Sequence, residues 1–144
     1  MFTKQAITKK LDTSTAKAWH AIRGIEGLDR WFPIIGSCRV EGSGVGAQRH
    51  MTLEGGQITD LIEAVDDERK RFVYLRTTSP FPVTHYRGTV EIFDSYDGQA
   101  VLSWTIDFES RPEDSEAVAA LVKGAISDGI DGMERELREA TVSA

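Results

Sequence analysis

The chain has 144 residues, of which 40% are hydrophobic and 28% charged, a composition typical of one globular domain over residues 1–144 rather than of a disordered segment. The formal net charge of −6 argues against nucleic acid as the main partner, because binding to phosphates requires basic patches. No stretch approaches the roughly 20 apolar residues of a membrane helix and no apolar run follows the lysines near the N-terminus, so we expect a soluble cytoplasmic protein without stable membrane insertion.

The N-terminal part of the chain predicts one strand and two short helices. The strand covers residues 2–10. The first helix covers residues 15–23, where apolar residues recur at helical spacing, and Thr13 or Ser14 can cap it. Two glycines interrupt this pattern before a second helical turn at residues 28–32.

Six further strands follow, joined by short turns rich in glycine, proline and charged residues. We place them at residues 36–41, 47–53, 57–65, 71–79, 84–94 and 99–109. Consecutive strands joined by short turns form an antiparallel meander, and one apolar face per strand indicates that one side of the sheet is covered.

A long amphipathic helix at residues 114–140 is the only predicted element long enough to cover the sheet. Ser115 is a candidate cap for it. Glycine inside a helix costs about 1 kcal/mol relative to alanine, yet this helix contains Gly124, Gly129 and Gly132. The sequence leaves open whether these glycines mark a weak or kinked helix, or a thin helix with space beside it. Seven strands around one helix enclose more volume than a single apolar stripe fills, which favours an internal cavity.

Several motifs are distributed along the whole chain: Trp19, Trp31-Phe32-Pro33, Gly44-Val45-Gly46 with Arg49, Leu61-Ile62-Glu63, Tyr86-Arg87-Gly88 and Trp104. In these motifs the sequence resembles the START-like, Bet v 1-type superfamily (SRPBCC), the group of polyketide cyclases, dehydrases and lipid-transport proteins. The resemblance implies an α+β helix-grip fold. In this fold a seven-stranded curved antiparallel sheet wraps around a long C-terminal helix, with two short helices between strands one and two. It implies no particular activity, because the fold hosts cyclases, lipid carriers and hormone receptors.

Strand parity predicts which side chains face the pocket, provided that no bulge shifts the register. Gly36, Cys38 and Val40 would face inward from strand two. The candidate ligand-binding residues are Met51, Leu53, Asp60, Ile62, Tyr74, Arg76, Tyr86, Val90 and Trp104 from the strands, with Val122, Ile126 and Met133 from the long helix. The apolar members of this set can equally well fill the core.

Three charged residues, Arg49, Asp60 and Arg76, share the inward parity, although buried charge is costly unless it is paired. They can orient a polar group of a ligand, or Asp60 can act as a general base with a pKa raised by desolvation. The alternative, which we favour, is an internal Asp–Arg pair or side chains that reach water at strand ends. For Tyr74 and Tyr86, a core position with a backbone hydrogen bond is favoured over a role at an oxyanion.

The sequence indicates no metal site and no cofactor. His20, His50 and His85 have outward positions, whereas a zinc site needs three or four converging ligands. Cys38 shares its face with no histidine and is interpreted as a small core residue rather than a nucleophile. The glycine-rich segment 42–46 leads into a strand, so it lacks the helix N-terminus of a phosphate loop.

Three functions follow, in order of preference. The first is non-catalytic binding or transport of a small hydrophobic molecule, such as a lipid or a polyketide-like aromatic, in an internal cavity. The second is a polyketide cyclase or dehydratase with Asp60, Arg49, Tyr74 and Tyr86 as catalytic candidates, which a paired and inaccessible Asp60 would weaken. The third is a protein-interaction module with a closed core, for which outward-facing Phe93 is the support. The sequence predicts neither the ligand's identity nor the oligomeric state.

Overall fold

The structure is a computed structural model that describes residues 1–143. Its elements in chain order are β1 (Phe2–Ser14), α1 (Thr15–Arg23), α2 (Leu28–Trp31), β2 (Ile35–Glu41), β3 (Gln48–Leu53), β4 (Gly56–Asp66), β5 (Arg71–Thr78), β6 (Thr84–Asp94), β7 (Gln99–Glu109) and α3 (Pro112–Ser143). Among the helices of these residues, none has an apolar stretch of the length that crossing a membrane requires.

The seven strands of the described chain form one antiparallel sheet in the order β1-β7-β6-β5-β4-β3-β2. Short turns bring β2 to β7 into a meander, and β1 pairs with β7 at the opposite edge from β2. The buried stripe of α3 packs on the concave face and consists of Val118, Val122, Ile126, Ile130 and Met133. This is the helix-grip architecture, so the predicted fold is confirmed.

The ends of β1 and α3 differ most from the prediction, whereas the other elements agree with it to within one residue at each end. β1 runs to Ser14 rather than to residue 10, because its last part pairs with β7 again after an irregularity. Ser14, one of the two predicted caps, accepts a hydrogen bond from the Lys17 backbone N–H at 3.2 Å. α3 begins at Pro112, whose fixed φ suits the first helical turn. The predicted cap Ser115 is wrong, since it lies inside the helix and its hydroxyl donates to the Pro112 carbonyl at 2.9 Å.

Two glycines of α3 allow α2 and the residue after it to approach the helix backbone. A Cβ on Gly132 would lie 2.2 Å from the Trp31 carbonyl oxygen, and one on Gly129 would lie 2.3 Å from the Phe32 ring. The space beside the thin helix is therefore filled by aromatic residues at these two positions, not by a cavity. Gly124 is exposed and would have no neighbour within 4 Å of an added Cβ.

Strand irregularities change the inward set only at the start of β2. The register shifts between Ile35 and Ser37, and Ile35 is buried whereas Gly36 is exposed. The predicted inward position of Gly36 is therefore wrong. The β4–β5 pairing shifts twice, between Thr59 and Asp60 and between Ile62 and Ala64. Ile58, Asp60 and Ile62 are nevertheless all buried, so the predicted parity of β4 is intact.

Candidate functional site

A small cavity lies between the concave face of the sheet and α3. Its volume is about 50 Å³, well below the roughly 300–1,000 Å³ of pockets that hold drug-sized ligands. Its lining is mainly apolar, and Tyr74, Arg76 and Tyr86 bring polar groups to it. The cavity is thus present but largely filled by side chains in this conformation.

The structure brings part of the predicted ligand-binding set together at this cavity. The members that line it are Met51, Tyr74, Arg76, Tyr86, Trp104, Val122 and Ile126. Val90 borders a separate, smaller space beside Arg49, and Leu53 is half-buried beside a surface depression. Ile62, Met133 and Asp60 are buried outside the cavity lining.

Sequence reasoning missed the lining residues that come from α2, from connecting segments and from the first position of β2. These are Leu28, Phe32, Ile34, Ile35 and Phe81, while Ile58, Leu121 and Ala125 belong to faces that the parity and helical spacing did identify. Strand parity does not extend into connecting segments, so no periodic signal marked Ile34 or Phe81. Their apolar character next to a proline was the available signal.

Three apolar side chains, Ile34, Phe81 and Leu121, form what we call the rim. They line both the cavity and a neighbouring surface depression, so they separate the internal space from the outside. Ile34 and Leu121 are each 44% exposed. The rim brings together the α2–β2 connection, the β5–β6 connection and α3.

Arg49, Asp60 and Arg76 form a buried ion cluster beside the cavity. They occupy paired positions on β3, β4 and β5, which places them side by side across three strands. Arg49 donates to Asp60 Oδ2 from Nη2 at 2.9 Å and from Nε at 3.2 Å. Arg76 donates from Nε to Oδ1 at 2.9 Å and from Nη2 to Oδ2 at 3.4 Å. The internal pair that the sequence analysis favoured is therefore present, with a second arginine added.

The electrostatics of Asp60 argue against a role as general base. Burial alone would raise the pKa of Asp60, but the charges and hydrogen bonds of Arg76 and Arg49 outweigh it and hold the pKa below its ordinary value of 3.8. The raised pKa that the less favoured alternative requires is therefore not found. A carboxylate that stays ionised and accepts hydrogen bonds from two guanidinium groups is a poor proton acceptor at neutral pH.

Arg49 also connects the cluster to the α1–α2 connection. Its Nη1 donates to the Ile25 carbonyl at 3.0 Å. Ile25 has a φ of 70°, which is rare for a β-branched residue and costs about 1–3 kcal/mol. The buried charge–carbonyl hydrogen bond helps to hold this conformation.

Tyr74 and Tyr86 face the cavity as neutral groups. Burial raises the pKa of both hydroxyls, so neither tyrosine is ionised at neutral pH. The partner of the Tyr74 hydroxyl is the indole of Trp104, which donates to it at 3.1 Å, rather than the backbone group that the sequence analysis favoured. Gly88, opposite Tyr74 on β6, makes room for the ring, because a Cβ there would lie 2.1 Å from Tyr74 Cζ.

The remaining nucleophilic and metal-binding side chains do not converge. His50 lies within hydrogen-bond distance of Thr59 and Glu41, and His20 and His85 are exposed. Burial raises the pKa of the Cys38 thiol, which disfavours the reactive thiolate. In the part of the chain that the structure describes, no three histidine, cysteine or acidic side chains are grouped so as to hold a metal ion.

Comparison with known proteins assigns the chain to a family. The model of the family described as "Polyketide cyclase / dehydrase and lipid transport" matches residues 4–138. The chain belongs to this family. Both activities in the family's description concern hydrophobic molecules. No curated protein matches the sequence significantly.

Solved structures share the family's fold over nearly the whole chain. An uncharacterised protein from Bacillus thuringiensis is 25% identical, with 95% of this chain and 98% of that chain covered and a TM-score of 0.79. The protein XoxI from Bacillus cereus is 23% identical, with 97% of each chain covered and a TM-score of 0.81. Norcoclaurine synthase from Thalictrum flavum, solved with dopamine and hydroxybenzaldehyde, is 17% identical, with 96% of this chain and 88% of that chain covered and a TM-score of 0.80. These structures share the fold, and the family match over residues 4–138 confirms the predicted membership of the polyketide cyclase, dehydrase and lipid-transport group.

Proposed function

We propose that the chain binds or transports a small hydrophobic molecule, lipid or polyketide-like, in the space between the sheet and α3, without transforming it. The observation that carries the proposal is the apolar cavity with an exposed apolar rim, since Ile34, Phe81 and Leu121 both close the cavity and border the depression outside it. Membership of a family whose description names polyketides and lipids supports the same class of ligand.

Binding requires the cavity to expand, because about 50 Å³ is too small for a lipid tail or an aromatic ring system. The C-terminal half of α3 is held against α2 by the close contacts at Gly129 and Gly132. The preceding turns, which carry Leu121 and Ala125, lack such contacts at exposed Gly124. We therefore expect this part of α3 and the rim to move when a ligand enters.

A catalytic alternative, the polyketide cyclase or dehydratase, is less well supported. It requires an acid or base that can exchange a proton with a substrate, whereas Asp60 is fully buried and paired with two arginines. The tyrosines have raised pKa values, so they can donate hydrogen bonds but are poor proton donors or acceptors near neutral pH. The chemistry facing the cavity suits recognition better than turnover.

An interaction module with a closed core is the other alternative. Phe93 is 48% exposed, as that hypothesis requires, and the cavity is small. The interaction module and the proposed ligand binder differ in whether the cavity can open, and a binding experiment decides between them.

The test is titration with a neutral apolar fluorophore, N-phenyl-1-naphthylamine, whose emission rises in an apolar environment. We expect saturable binding by the wild-type chain. Ala125→Phe places a ring in the cavity and should weaken binding about tenfold or more, since it removes the volume that the ligand needs. Ala120→Phe, on the exposed side of the same helix, is the matched control and should bind as the wild type does.

Two results would count against the proposal. One is the absence of saturable binding by the folded wild-type chain. The other is equal binding by the Ala125→Phe and Ala120→Phe variants, which would place the fluorophore outside the cavity. Either result would shift support to the interaction module.

A further inference from the structure

The ion cluster beside the cavity carries an excess of positive charge. Two guanidinium groups, of Arg49 and Arg76, share the single carboxylate of Asp60. Asp60 is 0% exposed, and the side chains of Arg49 and Arg76 are 3% and 11% exposed. The cavity lining contains no aspartate or glutamate among the described residues. One buried positive charge is thus left without a counter-ion, and burying an uncompensated charge is costly.

The excess charge reaches the cavity at Arg76. Arg49 uses all three of its nitrogens, on Asp60 and on the Ile25 carbonyl. Arg76 uses Nε and Nη2 on Asp60, while its Nη1 makes no hydrogen bond to any described residue. Of the three cluster members, Arg76 alone lines the cavity. A charged donor group therefore borders an otherwise apolar space.

The surroundings fix the orientation of this donor. The two hydrogen bonds to Asp60 hold one edge of the Arg76 guanidinium, and its carbon lies 4.3 Å from the centre of the Tyr86 ring. An arginine held by a carboxylate on one edge and by an aromatic ring against its face retains little conformational freedom. Ligand binding therefore has little side-chain entropy left to remove. The arrangement is a preorganised site for an anionic group.

We propose that the ligand is a monoanionic amphiphile whose carboxylate pairs with Arg76 while its apolar part lies between the sheet and α3; this rests on the proposed function. A single negative charge completes the cluster at two cations and two anions. A dianionic phosphate would exceed that balance, and a neutral ligand would leave the charge of Arg76 uncompensated. A cationic ligand would add repulsion to the same site.

The test uses three probes with the same ten-carbon chain: decanoate, decanol and decylamine. Each competes with N-phenyl-1-naphthylamine for the wild-type chain at neutral pH. A charge-assisted hydrogen bond in a buried site supports a preference of about tenfold or more for decanoate over decanol, and decylamine should bind most weakly. In the Arg76→Met variant, the affinities for decanoate and decanol should differ by no more than about twofold, and decanol should still bind.

Arg87→Met is the matched control, because Arg87 lies on the neighbouring strand β6 and pairs with Glu63 away from the cavity. It should keep the full preference for decanoate, and Arg76→Lys should keep part of it. If the fluorophore and all three probes fail to bind, the proposed function itself fails. If decanol and decanoate bind the wild type equally, or if Arg76→Met keeps the preference, the charge recognition is refuted while the cavity function stands. Should Arg76→Met not fold, the wild-type preference and the Arg76→Lys variant decide.

Discussion

Replacing Asp60 by asparagine removes the one negative charge of the buried cluster and leaves its shape almost unchanged. Asp60 accepts four N–H groups from Arg49 and Arg76. Asparagine keeps one carbonyl oxygen, and its NH₂ group faces guanidinium donors that it cannot accept from. Two buried cations then remain without a counter-ion. Removing one partner of a buried ion pair costs about 3–5 kcal/mol.

This loss is a large part of the total stability expected for a chain of this size, which is about 5–15 kcal/mol. At about 2–4 °C per kcal/mol, the melting temperature should fall by roughly 6–20 °C. The assay is urea unfolding followed by tryptophan fluorescence, with calorimetry for the melting temperature. Asp131→Asn is the control, because Asp131 is 57% exposed in its pair with Lys9 at 2.8 Å, and exposed pairs contribute about 0–1 kcal/mol.

The pH dependence provides an independent check. The pKa of folded Asp60 lies below its ordinary value of 3.8, so the unfolded chain binds this proton first as the pH falls. The stabilisation by ionised Asp60 is therefore complete above pH 3.8 and is lost as the pH falls through the folded pKa. The difference in unfolding free energy between wild type and Asp60→Asn should shrink in that range. A difference no larger than that of Asp131→Asn, or one that grows toward acid, would refute the assignment.

Two further predictions concern packing. Gly124→Ala should stabilise the chain by about 1 kcal/mol, since alanine is the better helix former. Gly132→Ala should instead destabilise it by about 1–3 kcal/mol, because the added Cβ would meet the Trp31 carbonyl. Equal effects of the two substitutions in urea unfolding would contradict the close approach of α2 to α3. Tyr74→Phe should cost about 1–3 kcal/mol, because the buried indole N–H of Trp104 loses its acceptor; an unchanged unfolding free energy and unchanged tryptophan emission would show that this hydrogen bond contributes nothing.

The fold could be predicted because its signals are local and periodic. The alternation of β7 and the helical stripe of α3 determine two opposing apolar surfaces, and the short turns limit the strands to a meander. The errors arise where a contact between distant segments decides the structure. The end of β1 extends to Ser14 because β7 is available to pair with it. Gly129 and Gly132 make room for Phe32 and Trp31, which lie about a hundred positions earlier in the chain.

The ion cluster was predictable only in part, because its pairing depends on contacts between strands. Parity placed Arg49, Asp60 and Arg76 on one face, but pairing across three strands depends on register, which parity does not give. The direction of the Asp60 pKa shift then follows from its two cationic partners, which together outweigh the effect of burial. Of the rim, helical spacing identified the face that carries Leu121, whereas Ile34 and Phe81 lie in connections without periodicity.

The presence of two arginines favours recognition over a purely structural role for the cluster. A single Arg76–Asp60 pair would be neutral and would gain nothing from an anion in the cavity. Arg49 does not line the cavity, yet by occupying Asp60 Oδ2 it draws part of the carboxylate's charge away from Arg76. It thereby leaves Arg76 short of a full counter-ion and keeps Asp60 ionised. Arg49 also holds the Ile25 carbonyl, but that contact does not require a net positive charge beside the cavity. Replacing a buried ion cluster by apolar residues of similar volume is often neutral or stabilising, whereas an anionic ligand accounts for the excess charge.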